Sequence, residues 1–135
     1  MALDSSIFIY QLEANARYAA MADAVFAWIE APGHAAVTST ITMTELLVQP
    51  YRDSNRDRVN VFYGLLTMYP NLQWVAPDLE IADMAAQLRA LHHLRTPDAL
   101  HAATAVRAHA TGFVTNDAVF ERVEGFETLL FDKLI

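Results

Sequence analysis

An α/β domain built on a mainly parallel central sheet, with helices on both faces, is the fold class this sequence predicts. Three observations lead there. Strand-like and helix-like segments alternate along nearly the whole chain, the pattern of successive β–α units. The 135 residues are 54% hydrophobic, enough for one sizeable core. No low-complexity stretch, repeat or flexible linker divides them, so a single domain over residues 1–135 is expected.

The elements follow in order. Met1 to Leu3 is a short apolar strand, and Ser5 to Glu13 begins a helix. Tyr18 to Ala31 reads as a longer helix stopped by Pro32–Gly33. Ala35 to Ser39 is strand-like, and Thr42 to Val48 is helical, with Pro50 expected to bend or end it. Asp57 to Tyr69 places Val61, Phe62, Leu65 and Leu66 at helical spacing. Leu72 to Ala76 is a strand, and Asp78 to His92 is a helix of period near 3.6. Asp98 to Ala110 forms another, opened by Thr96 as cap, Pro97 in the first turn and an acid at the positive end of the dipole, and closed by Gly112. Its many alanines, with Arg107 its only charge after Asp98, describe a helix packed on most sides. Phe113 to Thr115 is a short strand, Asp117 to Arg122 a helical turn, and Phe126 to Phe131 a last strand.

Composition narrows the function. Net charge is −7, and Lys133 is the only lysine, so bulk positive charge cannot drive nucleic-acid binding. A divalent metal or a basic partner would have to offset the repulsion. The absence of cysteine excludes a thiol nucleophile and a thiolate zinc site, and it fits a reducing cytoplasm. No apolar run reaches membrane-spanning length, and no basic segment precedes an apolar stretch as in a secretory signal.

In parallel sheets, sites gather beyond the carboxyl ends of the strands. Four acids fit that location. Asp4 follows the first strand, Glu45 lies about two turns past the second, Asp98 opens the alanine-rich helix, and Asp117 follows Phe113–Thr115. At about 5 Å and an effective dielectric near 20, each pair of carboxylates would cost roughly 3 kcal/mol. Either some stay protonated or a cation holds them, and an oxygen-only set suits Mg²⁺ or Mn²⁺. Each acid alone has a simpler explanation as a helix cap. Asp78 also follows a strand, sits after Pro77 and opens a helix, so spacing cannot separate it from the four.

Local context separates them. L-D-S-S-I-F-I-Y near the start, T-E-L-L at 44–47, R-T-P-D-A-L-H-A-A-T-A at 95–105 and V-T-N-D-A-V-F at 114–120 together resemble a PIN domain. More closely they look like the ribonuclease toxin of a VapC-type toxin–antitoxin pair. The resemblance covers essentially the whole chain, and its last two blocks are the most specific. It implies a metal-dependent (Mg²⁺ or Mn²⁺) endoribonuclease whose acidic residues fall on Asp4, Glu45, Asp98 and Asp117. Asp78 matches no motif position, which leaves it as a helix cap. Asp4, Asp98 and Asp117 would be the main metal ligands, direct or through water, with Glu45 on a second metal or orienting the water. Ser6, Thr115 and Asn116 would fix the carboxylates by hydrogen bonds. The first block departs from the family pattern mildly, with Ser5 then Ser6 after the acid where Thr then Asn or Ser is usual, and the stretch ahead of Asp4 is short.

The resemblance also implies a homodimer and a cognate antitoxin that lays an apolar helix in a groove, its basic residues suiting the −7 charge. Phe8, Tyr10, Leu12, Phe26, Trp28 and Ile29 are read first as core. His101, three residues after Asp98, is read as a core histidine with one hydrogen bond, pocket contact being the alternative. His92 and His93 point in different directions and do not share an ion. Arg52, Arg56 and Arg58 read as a solvated loop, with guidance of RNA phosphates as the alternative.

Other acidic α/β sites fit poorly. A signalling receiver needs a pocket lysine, and only Lys133 exists. A haloacid-dehalogenase-type phosphatase needs a second acid two residues after the first, where Ser6 stands. P-loop chemistry needs clustered glycines, and the four here are scattered. A catalytically inactive PIN-fold interaction module is the main rival.

Overall fold

In the computed structural model, which describes residues 1–134, the chain runs β1 (Ala2–Leu3), α1 (Ser5–Leu12), α2 (Ala19–Glu30), β2 (Ala36–Ser39), α3 (Ile41–Arg52), α4 (Arg56–Thr67), β3 (Leu72–Val75), α5 (Leu79–His92), α6 (Thr96–Arg107), β4 (Gly112–Thr115), β5 (Glu127–Leu130) and α7 (Phe131–Leu134). A 3₁₀ turn, Ala118–Arg122, separates β4 from β5. The strands form one five-stranded sheet in the order β3-β2-β1-β4-β5, and every neighbouring pair is parallel.

Period-two alternation divides each strand between two cores. Ala2, Val37 and Phe113 face one side, where Ile81 and Ala85 of α5 and Ala99, Ala102 and Ala103 of α6 cover them. Their neighbours Leu3, Ala36 and Val114 face the other, against Ile7 and Phe8 of α1, Ala22, Phe26 and Ile29 of α2, and Phe62 and Leu66 of α4. The two-faced α/β architecture expected from sequence is what the chain adopts. No helix among the described residues is long and apolar enough to cross a membrane.

The topology creates a crevice. From β1 the chain builds outward through β2 to β3, then returns over one face by α5 and α6 to place β4 on the opposite side of β1. The winding therefore reverses between β1 and β4, and ligand sites open at the carboxyl ends of strands at such a reversal. α6 can lie close to the sheet because its inward residues are small: Ala99, Ala102, Ala103 and Ala105 are fully buried.

Several boundaries differ from the sequence reading, each for a local reason. Pro50 does not end α3; it sits buried within the helix, which continues only two residues beyond it, to Arg52. Thr96 is not the cap of α6. The helix begins with Thr96 itself, Arg95 takes the cap position with extended backbone, and no side-chain bond caps it. Gly112 does not close α6 either. His109 takes the left-handed turn at φ 57°, and the N–H groups of His109 and Ala110 return to the carbonyls of Val106 and Ala105, a complete Schellman ending. Gly112 instead starts β4, and the expected last strand ends at Leu130, giving way to α7. Among the residues read as core, Phe8, Phe26 and Ile29 are buried, but Trp28 is exposed and stacks on His34.

Candidate active site

Asp4 lies where β1 becomes α1. Its backbone N–H bonds to the carbonyl of Val114 at 3.0 Å, extending the β1–β4 ladder by one residue before the chain turns into the helix. Its side chain then caps α1, Oδ1 accepting from the Ser5 N–H at 2.7 Å. Three hydroxyls complete its surroundings. Ser5 Oγ reaches Oδ1 at 3.4 Å, while Ser6 Oγ at 3.2 Å and Thr115 Oγ1 at 2.7 Å donate to Oδ2. The residue is only 7% exposed. Burial holds its carboxyl above the ordinary aspartate value; the field of His101 and the bonds from Thr115 and Ser5 oppose that shift without cancelling it.

The other three acids come from separate elements. Thr38 and Thr42, both buried, share a hydrogen bond of 2.8 Å, and Thr38 also donates to the Leu3 carbonyl, pinning the start of α3 to β2 and β1. Glu45 lies one turn beyond Thr42 and so projects over the carboxyl end of the sheet. Its Oε2 accepts from Ser5 Oγ at 3.2 Å, and its Oε1 lies 2.5 Å from His101 Nε2. Ser5 thus bridges Asp4 and Glu45. Thr115, at the end of β4, does the same on the other side, donating to Asp4 and accepting from the Asp117 N–H at 3.1 Å. Asp117 caps the 3₁₀ turn through the Val119 N–H and is otherwise exposed. Asp98 is buried in the first turn of α6, and its Oδ2 accepts from Arg95 Nε at 3.1 Å.

Of the seven residues singled out from sequence, Ser6 and Thr115 bond to Asp4, Glu45 joins it through Ser5, Asp117 is tied in by its backbone through Thr115, and Asp98, Asp117 and Glu45 all act on Arg95. Asn116 does not join them: its amide donates to the Tyr10 hydroxyl and its Oδ1 accepts from the Asp132 N–H, tying β4 to α1 and α7. Both parts of the sequence reading of His101 describe it, for it is buried with one hydrogen bond and that bond goes to a pocket acid. Its Nδ1 is buried with no partner, and Nε2 is the ring nitrogen that meets Glu45. Asp78 caps α5 by accepting from the Ile81 N–H at 2.8 Å, away from the four acids, as the motif comparison requires. Ser5 and Arg95 are the members that sequence reasoning passed over. Ser5 was visible only as a hydroxyl beside an acid, and Arg95 stood inside a quoted motif without an assigned role. Arg58 pairs with Glu13 at 3.8 Å and covers the Phe62 ring.

The donors are chemically suited to a hard divalent cation: carboxylates only, two of them buried, and the cost of burying Asp4 is one that a cation would relieve. They surround the mouth without being gathered into a cage, since no three acid or imidazole side chains among the described residues already form an ion-holding group. Glu45 and Asp117 are exposed, each carboxylate held by hydrogen bonds at its present position.

None of the curated proteins compared with this chain matches it. Solved structures do. A toxin–antitoxin complex from Klebsiella pneumoniae contains a chain 25% identical to this one, with a TM-score of 0.65 over 95% of this chain and 94% of that one. A DNA-bound VapBC from Salmonella typhimurium gives 0.70 at 19% identity, covering 95% of each chain, and FitAcB from Neisseria gonorrhoeae gives 0.66 at 21%, also covering 95% of each. The PIN domain family matches residues 1–125. A parallel sheet wound in both directions, acids at its reversal and this match agree: the chain belongs to the PIN domain family.

Proposed function

We propose that this protein is a Mg²⁺- or Mn²⁺-dependent endoribonuclease that hydrolyses RNA phosphodiester bonds and serves as the toxin of a toxin–antitoxin pair. The observation that carries the reading is Asp4: a buried carboxylate at the sheet's reversal, linked through Ser5 to Glu45 and through Thr115 to Asp117. Burying a carboxylate where its ionised form is disfavoured weakens the fold, and such groups concentrate at functional sites.

In this reading Asp4, Asp98 and Asp117 are the main residues that hold the cation, directly or through water, with Glu45 on a second ion or on the attacking water. The bound metal would acidify water and neutralise charge on the scissile phosphate. The protein's own share is positioning. Ser6 and Thr115 fix the Asp4 rotamer, His101 and Ser5 hold the two oxygens of Glu45, and α6 presents Asp98 from a rigid, close-packed helix. Water supplies the oxygen that bonds to phosphorus as one ester P–O bond breaks.

The toxin assignment draws on the neighbours, which are toxin–antitoxin assemblies in their own right. Within this chain, a groove between α1, α3 and α4 is lined by Ile9, Leu12, Leu46, Pro50 and Phe62, and it runs to Glu45. An apolar helix of a cognate antitoxin with a basic segment suits both that groove and the −7 charge. A homodimer acting in the cytoplasm completes the proposal.

Cleavage of total cellular RNA by purified, antitoxin-free protein tests it, with Mg²⁺, with Mn²⁺ and with chelator, and with Asp4→Asn and Asp98→Asn alongside. Discrete metal-dependent cuts lost in both variants are expected. A folded protein that cuts nothing under either metal would instead be an inactive PIN-fold interaction module.

A further inference from the structure

We propose that Arg95 is a phosphate-positioning residue, holding the RNA backbone against the acidic mouth. This rests on the ribonuclease reading above and adds how an acidic chain receives an anionic substrate. Four carboxylates at one mouth repel a phosphate, and the chain as a whole carries −7, so attraction has to be local. Among the described ion pairs, Arg95 is the only arginine or lysine joined to any of the four acids; Arg17, Arg58, Arg107 and Lys133 pair with Asp132, Glu13, Glu80 and Glu121.

The geometry suits a clamp better than a structural salt bridge. The Arg95 side chain is 78% exposed, and its bond to Asp98 Oδ2 uses Nε alone. An ion pair so exposed contributes little to folding. It does fix the direction of the guanidinium, and among the described hydrogen bonds both terminal nitrogens remain unused. A planar fork tethered at its base, with two donor nitrogens unengaged, is the form in which arginine takes phosphate oxygens in pairs. The bond and field of Asp98, then the fields of Asp117 and Glu45, keep the group firmly protonated. Its backbone contributes too: Arg95 holds the cap position of α6 in extended conformation, immediately ahead of the helix that carries Asp98.

The test is steady-state cleavage of a short, fluorescence-quenched, random-sequence RNA in Mn²⁺ across a KCl series. Wild type, Arg95→Ala, Arg95→Lys and Arg107→Ala are compared. Arg107 serves as the control because it has the same charge on the same helix at its far end, paired with Glu80. For Arg95→Ala, KM is expected to rise about tenfold with kcat far less affected, and the slope of log kcat/KM against log salt to become shallower by about 0.7, one phosphate contact on a single strand. Arg95→Lys is expected to restore the slope and only part of the affinity, because the charge returns without the fork. Arg107→Ala is expected to match wild type. A wild-type KM and salt slope in Arg95→Ala would overturn the proposal, and so would a fall confined to kcat, which would mean that Arg95 acts on the acids and not on the RNA. Wild-type protein that cuts no RNA would sink the ribonuclease reading together with this one; cutting with an unmoved slope would sink this one alone.

Discussion

The helices α5 and α6 begin with the same two letters. Pro77–Asp78 opens the first and Pro97–Asp98 the second, yet the two aspartates do different things. Asp78 occupies the cap position with extended backbone, and its carboxylate is spent on the Ile81 N–H. Asp98 stands three residues after the cap, already inside the helix, and its carboxylate caps nothing. A shift of three residues relative to the first turn decides whether an acid satisfies the helix backbone or is left to a side-chain partner. The surroundings differ to match. Asp78 is exposed, while Asp98 is buried beside Arg95 on a helix whose inward alanines are fully covered.

The sharpest way to break this comparison is to neutralise both acids. Asp98→Asn is expected to lower RNA cleavage by on the order of a hundredfold or more, since the charge that would hold the metal is lost. Asp78→Asn keeps a side chain that caps equally well, so cleavage and stability should both stay near wild type. Equal losses in the two variants would mean that the motif comparison has misplaced the site.

The packing half of the comparison can be tested without touching an acid. Ala102 on α6 is fully buried, and Ala86 on α5 is exposed. Ala102→Leu forces extra volume against the sheet and should cost about 1–3 kcal/mol in urea unfolding. Ala86→Leu should stay within about 0.5 kcal/mol of wild type. If Ala102→Leu were tolerated as well as Ala86→Leu, α6 would not be held tightly, and the rigid placement of Asp98 would lose its basis.

How much of this was legible beforehand follows from the same pair. The alternation of elements, and with it the two-faced sheet, could be read because apolar periodicity is a local property. Asp4, Glu45, Asp98 and Asp117 are proposed from motif order, and the tie with Asp78 is broken only that way. Bonds from Ser6 and Thr115 to a carboxylate were expected and are present, but the links from one acid to the next were not readable. Ser5 bridges residues 4 and 45, and Thr115 bridges 4 and 117, through contacts set by the reversal of strand order. Asn116 was expected at the carboxylates because it sits between two residues that face them, but at a strand's end consecutive side chains point apart, and it turned toward Tyr10. The closing of α6 was misassigned because glycine is the usual left-handed residue, whereas here His109 takes that conformation.

Asp4 extends the contrast to pH. Its carboxyl is held above the ordinary 3.8, so the folded protein binds more protons than the unfolded chain from that value upward. The sign follows: stability falls as pH rises through the window between 3.8 and the higher folded value, and the loss persists at neutral pH. Asp4→Asn removes the group while the neighbouring hydroxyls can reorient to accept from the amide. Metal-free Asp4→Asn should therefore gain stability relative to wild type as pH rises across that window, measured by urea midpoints in chelator, while losing RNA cleavage. A parallel pH dependence in the two proteins would remove burial of Asp4 as a source of strain. Adding Mn²⁺ should raise the wild-type melting temperature more than that of the variant, because only the wild type keeps the full donor set.

The smallest effect belongs to Asp78 and bears on the comparison most directly. Asp78→Ala deletes the acceptor for the Ile81 N–H and leaves that donor to water at an exposed helix end. The expected cost is about 1 kcal/mol in unfolding free energy, with cleavage unchanged. The same substitution at Asp98 should reverse the pattern, with cleavage lost and stability altered little, since the carboxylate there bonds only to an exposed arginine. Two Pro–Asp pairs would then yield opposite phenotypes from one replacement. If Asp98→Ala instead cost stability as Asp78→Ala does, Asp98 would be a second structural acid at a helix start, and the cation-holding role would pass to Asp4, Glu45 and Asp117 alone.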